Sequence, residues 1–294
     1  MTRQRTIIEP LSASGIGLHS AQRVDMRLLP APIDSGIIFR RSDNGCQFRA
    51  RADLVRDTML CTALVYENSR VATIEHLMSA LMGLGIDNLI VELSTAEVPI
   101  MDGSSAPFVY LLQRAGIREQ DAAKRFICID KPLEVRERDK WAKLLPHRGY
   151  RLDFTIDFDH PVFRHRNNSF RLEFSTGAYI RDISRARTFG FLADIEKLHN
   201  MGLALGGNLD NAVVVDDFRV LNEQGLRFAD EFVRHKLLDA LGDMFLVGAP
   251  LLGWYQGYRS GHDLNNRLCL ELLRNPDHWH YETLSGDDLI NYGF

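Results

Sequence analysis

The chain has 294 residues, 45% of them hydrophobic and 25% charged, with a net charge of −4 at pH 7. This is an ordinary globular composition, sufficient for one large domain or two of usual size, and its mild acidity argues against a protein built to grip nucleic acid or an anionic membrane. Cys46, Cys61, Cys128 and Cys269 show no CxxC spacing, no signal-peptide core opens the chain, and no stretch approaches the ~20 apolar residues of a transmembrane helix, so the expectation is a cytoplasmic monomer with reduced thiols.

Val24, Met26 and Leu28 alternate with polar residues, which predicts a strand with one buried face. Gly15 to His19 reads as a glycine-flanked turn without the GxGxxG spacing of a dinucleotide site, leaving His19 as exposed loop. Ile37 to Phe39 predicts a short strand, and Cys61 a small buried residue. Leu77, Leu81 and Leu84 form a helical stripe that Thr73 can cap and that stops at Gly83 and Gly85; Glu75 and His76 stand at its start, where side chains are partly accessible. Residues 87–93 follow as a strand. Ser105 caps a second helix to Ala115, with Pro107 in its first turn and Gly116 beyond its end. Polar residues 117–124 read as a linker, giving domains 1–124 and 125–294.

The second half repeats this outline. Residues 125–130 predict a strand, as do the alternations at Leu152, Phe154, Ile156 and Phe158 and at Phe170, Leu172 and Phe174. A long apolar-periodic helix covers Phe228 to Leu246, and Asp263 to Arg274 carries leucines four apart. An apolar βα insert at about 189–216, with Phe191, Ile195 and Leu198 on one stripe, has no counterpart in the first half. It reads either as core packing or as an apolar ligand wall. The fold class is α+β: two similar domains, each a mainly antiparallel sheet with two helices, the helices sandwiched between the sheets.

The helix at 228–246 carries the chemistry. His235, Asp239 and Asp243 recur every four residues and project in one row. One reading is a half-exposed, solvated face. The other is a metal site, because His and Asp four apart can reach one ion. His76 with His235 and Asp239 would complete two imidazoles and a carboxylate, leaving a position for water. Glu75 is then the candidate general base, and His262, at the start of the last helix and paired with Asp243, the general acid. The same ligand types also describe a non-haem Fe(II) oxygenase, or a non-catalytic metal- or nucleotide-binding protein, so these readings stay open.

Eight blocks in order carry a family resemblance: Gly17–His19, Arg56–Thr62, Thr73–Leu77, Gly85–Asn88, Ile100–Ser104, Ser184–Phe191, His235–Asp243 and Ser260–His262. The chain resembles the zinc-dependent UDP-3-O-acyl-N-acetylglucosamine deacetylases, which catalyse the committed step of lipid A synthesis in Gram-negative bacteria. The resemblance implies Zn2+ on His76, His235 and Asp239, Fe2+ also suiting those ligands. It implies Glu75 as base, His262 held by Asp243 as acid or electrostatic partner, and Thr188 as donor to the oxyanion. Lys236, on another side of the helix from the ligand row, is implied at the diphosphate or the developing charge. The substrate is a UDP-sugar lipid. The insert implies a passage for its acyl chain, with substrate contacts at Leu18, Met59, Cys61, Phe189, Ile195, Ala204 and Val214. Arg259 stands where the pattern can carry lysine near the nucleotide, and Asn208, Leu209 and Asn211 fall in the variable part of the passage.

Overall fold

The computed structural model describes residues 1–164 and 166–285 of the chain. Its α-helices are α1 (Glu75–Gly83), α2 (Ala106–Arg114), α3 (Thr176–Asp182), α4 (Leu192–Asn200), α5 (Glu231–Met244) and α6 (His262–Arg274).

The fold is α+β and repeats its own topology. One sheet has the spatial order Leu11–Ile16, Arg23–Pro30, Leu89–Leu93, Ile37–Arg41, Gln47–Arg49. The other follows the same plan with Leu133–Glu137, Lys140–Leu145, Leu251–Tyr258, Tyr150–Thr155 and Ser169–Glu173. In each, an antiparallel hairpin meets the last strand, which pairs parallel with the third. Parallel neighbours require a crossover; α1 lies in the first and α5 in the second. Phe126–Ile129 and Trp279–Glu282 extend the second sheet. Each crossover also carries an insert. The first is a three-stranded sheet, Val55–Asp57, Ala63–Tyr66 and Ser69–Val71. The second is Phe189–Phe191, α4 and Val213–Val215, its two strands parallel.

Alternation sets which face each strand buries. Val24, Met26 and Leu28 are fully buried, whereas Arg23, Asp25 and Arg27 face outward. α1 is buried along its whole length, and α5 everywhere except Arg234 and Lys236. Helices covered on all sides belong in the middle of a structure. One apolar core accordingly joins Met26, Phe39 and Val91 of the first sheet, Leu77 and Leu81 of α1, Leu237 and Leu241 of α5, and Leu144, Leu152 and Phe154 of the second. Gly242 permits the α1–α5 crossing, because a Cβ there would collide with the Glu75 carbonyl oxygen. Among the described residues no helix is long and apolar enough to cross a membrane.

Several local expectations are corrected. Residues Ile117–Ala123 are a strand, paired antiparallel with Arg3–Ile7, not a linker; its half-exposed edge explains the polar sequence. Thr73 does not cap α1: it has φ +58°, and its hydroxyl donates to Glu97 at 3.1 Å. Ser105 does not cap α2 through its side chain either, but donates to the His76 carbonyl at 2.8 Å. The strand read across 152–158 ends at Thr155, and Phe158 packs on Phe163, Phe189 and Phe191.

Candidate metal centre and active site

The α1–α5 crossing brings together residues 159 positions apart in sequence. His76 Nε2 and His235 Nε2 lie 3.5 and 3.3 Å from the same oxygen, Asp239 Oδ1. The two imidazoles meet edge to face, centroids 4.9 Å apart, and one donor atom from each of the three residues falls within 4.8 Å of the others. Glu75 and His76 are not the partly accessible side chains expected at a helix start; each is only 3% exposed.

His235 is oriented from behind. Its Nδ1 is 3.1 Å from the Ala186 carbonyl, which can only accept, so Nδ1 carries the proton and Nε2 keeps its lone pair. The Ala186 segment is fixed in turn by a buried ion pair: Arg187 donates from its backbone and its guanidinium to Glu231 at the first turn of α5, at 2.9–3.1 Å. Burial drives the His235 pKa down to about 3, with Asp239 opposing and His76 reinforcing. It is therefore a neutral imidazole at pH 7. Burial pushes Asp239 the other way, but the adjoining His235 imidazole and the Lys236 ammonium outweigh it and hold this carboxyl well below its usual range.

These donors fit a divalent cation. Asp239 Oδ1 is buried and, among the described residues, has no hydrogen-bond partner, with two imidazole nitrogens converging on it. An orphaned buried carboxylate oxygen is costly, and a cation at that point satisfies it. The second carboxylate oxygen is taken by Lys236, whose ammonium donates at 2.6 Å. Lys236 thus does not face away from the ligand row; its long stem reaches back one helical turn to it.

Two acid–base groups flank this cluster. Glu75 Oε2 accepts from the Thr62 backbone N–H at 3.0 Å, and burial first, then the Asp239 and Asp243 charges, raise its pKa against the opposing pull of His262 and His76. His262, the first residue of α6, donates from Nδ1 to Asp243 Oδ2 at 2.9 Å. Burial alone would lower this imidazole, but the Asp243 charge and hydrogen bond, with Glu75, lift it to about 9. Asp243 is held by two further donors that sequence reasoning missed, Thr62 Oγ1 at 2.6 Å and Asn265 Nδ2 at 2.9 Å. Thr62 sits 181 positions from Asp243, and nothing local announces the contact.

Thr188 lies at the mouth of the second insert. Its N–H donates to Gly103 at 2.7 Å and its carbonyl accepts from Val213 at 2.8 Å, while its hydroxyl has no hydrogen-bond partner among the described residues. Gly103 holds φ +82° and passes so close to Asn211 that no Cβ fits. Phe189 packs against His235, ring centroids 6.3 Å apart.

The insert docks on the first half. Gly206 and Leu205 donate backbone hydrogen bonds to Leu18 and His19, at 2.9 and 3.3 Å. His19 is consequently buried rather than exposed loop. Its N–H donates to Glu97 at 2.8 Å, Nδ1 accepts from Ala204 at 3.3 Å, and Nε2 has no partner among the described residues. Met59, Leu60, Leu205 and Leu209 expose large apolar side chains, and Leu18, Ile195, Ala204 and Val214 are half-buried. Cys61 packs with Ala63 and Ala72; burial and then Glu75 push its thiol up to about 12, so it stays protonated. Asn211 is buried and clamps the loop, its amide donating to Gly206 at 3.0 Å. Arg259 lies two residues before Gly261, its guanidinium 2.6 Å from Asp139 and 3.5 Å from Asp157. A cavity of about 680 Å³ lined by Arg49, Arg125, Arg274 and Tyr281 shares no residue with the His–Asp cluster.

The sequence pattern of the family described as UDP-3-O-acyl N-acetylglycosamine deacetylase matches residues 4–274. The chain is 56% identical over 290 residues to a protein of Marinobacter nauticus named UDP-3-O-acyl-N-acetylglucosamine deacetylase, covering 98% of this chain and 95% of the relative. It is 54% identical over 283 residues to proteins of the same name from Xylella fastidiosa and Legionella pneumophila, covering 96% of this chain and 93% of each relative. On these matches the chain belongs to the UDP-3-O-acyl N-acetylglycosamine deacetylase family.

Proposed function

We propose that this protein hydrolyses the 2-acetamido bond of UDP-3-O-(3-hydroxyacyl)-N-acetylglucosamine, releasing acetate and the free amine in the committed step of lipid A synthesis. The observation that carries the reading is the convergence of two imidazole nitrogens on an orphaned carboxylate oxygen, with a buried carboxylate and a histidine–aspartate pair beside it. His76, His235 and Asp239 would hold the metal, Zn2+ by family and Fe2+ by ligand type. When bound, such an ion polarises the acyl carbonyl and lowers the pKa of water towards ~7.

The chain's own residues supply the proton traffic. Glu75, its pKa raised by burial, takes the proton of the attacking water. The water oxygen bonds to the acyl carbon, and the Thr188 hydroxyl donates to the oxyanion that develops. His262, charged at pH 7, gives its proton to the amide nitrogen as the C–N bond breaks, and Asp243 keeps it charged and aimed. Lys236 neutralises Asp239 and places a cation beside the reacting centre. The exposed apolar side chains at Met59, Leu60, Leu205 and Leu209 support an acyl passage bordered by Leu18, Phe189, Ile195, Ala204 and Val214. Cys61, packed with Ala63 and Ala72, is a further proposed substrate contact, and Arg259 is the proposed nucleotide contact, exchanging its aspartates for phosphate. The division at residue 124 assigns Glu75 and His76 to one domain and the other catalytic groups to the second. Four unpaired cysteines support a reducing, cytoplasmic setting.

The test is direct: metal-loaded protein is mixed with the UDP-sugar, and acetate and free amine are quantified. Equal amounts of both are expected. Intact acetamide after prolonged incubation, or oxygen uptake coupled to turnover, would overturn the reading.

A further inference from the structure

A second cluster of mixed donors lies at the edge of the second sheet, separate from His76, His235 and Asp239. Phe126–Ile129 pairs antiparallel with Trp279–Glu282, placing Cys128 directly opposite His280 and Phe126 opposite Glu282. Directly paired residues share a face, and side chains two apart along a strand return to it. Cys128, Asp130, His280 and Glu282 therefore project from one side. Sγ, imidazole nitrogen and carboxylate oxygen of the first three lie within 4.8 Å of one another. His280 Nδ1 is 2.8 Å from Asp130 Oδ2. Among the described residues, Asp130 pairs with no other cationic side chain and Glu282 forms no ion pair; neighbouring Lys131 is held by Asp277 at 2.9 Å.

We infer that Cys128, Asp130 and His280 form a second divalent-metal site, with Glu282 or water as fourth ligand, suited to Zn2+ and similar late first-row ions. Thiolate, imidazole and carboxylate together match the borderline softness of such an ion. Bonds of about 2.0–2.3 Å imply donors about 3.5 Å apart in a tetrahedron. The present spread closes by about an ångström through rotation of side chains that are half exposed. Burial, then the Glu282 and Asp130 charges, push the Cys128 thiol up to about 11, so metal binding displaces its proton to solvent and affinity rises with pH. The bound ion would clamp the last strand, Trp279–Glu282, to the sheet. This inference does not depend on the proposed activity.

Cobalt(II) distinguishes this site from the first, because His76, His235 and Asp239 offer no sulfur. Metal-depleted full-length protein is titrated with Co2+ while bound metal and thiolate-to-cobalt charge-transfer absorbance in the near ultraviolet are recorded. Two equivalents per chain and a sulfur band are expected. Cys128→Ser removes the band and one equivalent, and His280→Ala weakens that site at least tenfold. Cys61→Ser and Asp239→Ala both leave the band in place, the latter removing only the other equivalent. No sulfur band in excess cobalt, or a band that survives Cys128→Ser, overturns the inference.

Discussion

Replacing Asp243 with asparagine should convert His262 from an acid into a neutral imidazole at pH 7. The Asp243 carboxylate lies 2.9 Å from His262 Nδ1, both groups are buried, and the imidazole is lifted from 6.5 to about 9 despite burial acting against it. The rise from 6.5 to about 9 corresponds to ~3 kcal/mol of preference for the charged form in the folded protein. Because the folded pKa is the higher one, that stabilisation is fully present below about pH 6.5, where both states carry the proton. It is lost as pH rises through about 9. The asparagine also satisfies Thr62 and Asn265 less well, a pH-independent loss of ~1–3 kcal/mol. The slope with pH, not the offset, reports the charge. Imidazole NMR titration of the metal-free protein, with His262→Gln to assign the signal, should give a wild-type midpoint near 9 and a variant midpoint at least two units lower. Urea unfolding at pH 6 and pH 10 should show the wild type losing ~3 kcal/mol more than the variant. A wild-type midpoint near 6.5, or one that Asp243→Asn does not move, would refute the reasoning.

Glu75→Gln keeps the shape and the Thr62 contact but removes the proposed base. Acetate release should fall by roughly 10²–10⁴-fold with metal content unchanged, and a near-normal rate would remove Glu75 from that role. Asp239→Ala should lose the metal of the His76–His235 cluster, measured as bound Zn2+ per chain after dialysis in a Cys128→Ser background; one tightly held equivalent would contradict the ligand assignment. Gly242→Ala forces a methyl against the Glu75 carbonyl at the α1–α5 crossing and should cost ~1–3 kcal/mol, a few degrees in melting temperature. Gly177→Ala, which meets open space in α3, is the control and should be neutral or stabilising.

Much of the site was legible because α5 writes its chemistry at helical spacing. His235 and Asp239, four residues apart, do converge, and Asp243 one turn on does meet His262. The strands at 24–28 and 150–155 were legible because one face is buried and the other wet. Leu251–Tyr258, central to the second sheet, escaped notice because Gly253 and Gly257 interrupt its pattern where Ile129 and Phe154 press close. The hairpin Leu133–Leu145 escaped because its outward residues are charged. Cap rules failed at Thr73 and Ser105, whose hydroxyls are drawn into tertiary bonds with Glu97 and His76. The burial of His19 and the bridge from Thr62 to Asp243 depend on segments brought together only by the fold. A helical wheel placed Lys236 away from Asp239, but a four-carbon stem spans that angle.

The most direct measurement of the central claim is a Zn2+ titration of metal-depleted protein while acetate release from UDP-3-O-acyl-N-acetylglucosamine is followed. In a Cys128→Ser chain, activity should rise in proportion to metal and saturate at one equivalent, with no rise when Asp239→Ala is added. Full acetate release without metal, or none with one equivalent bound at His76, His235 and Asp239, would contradict it.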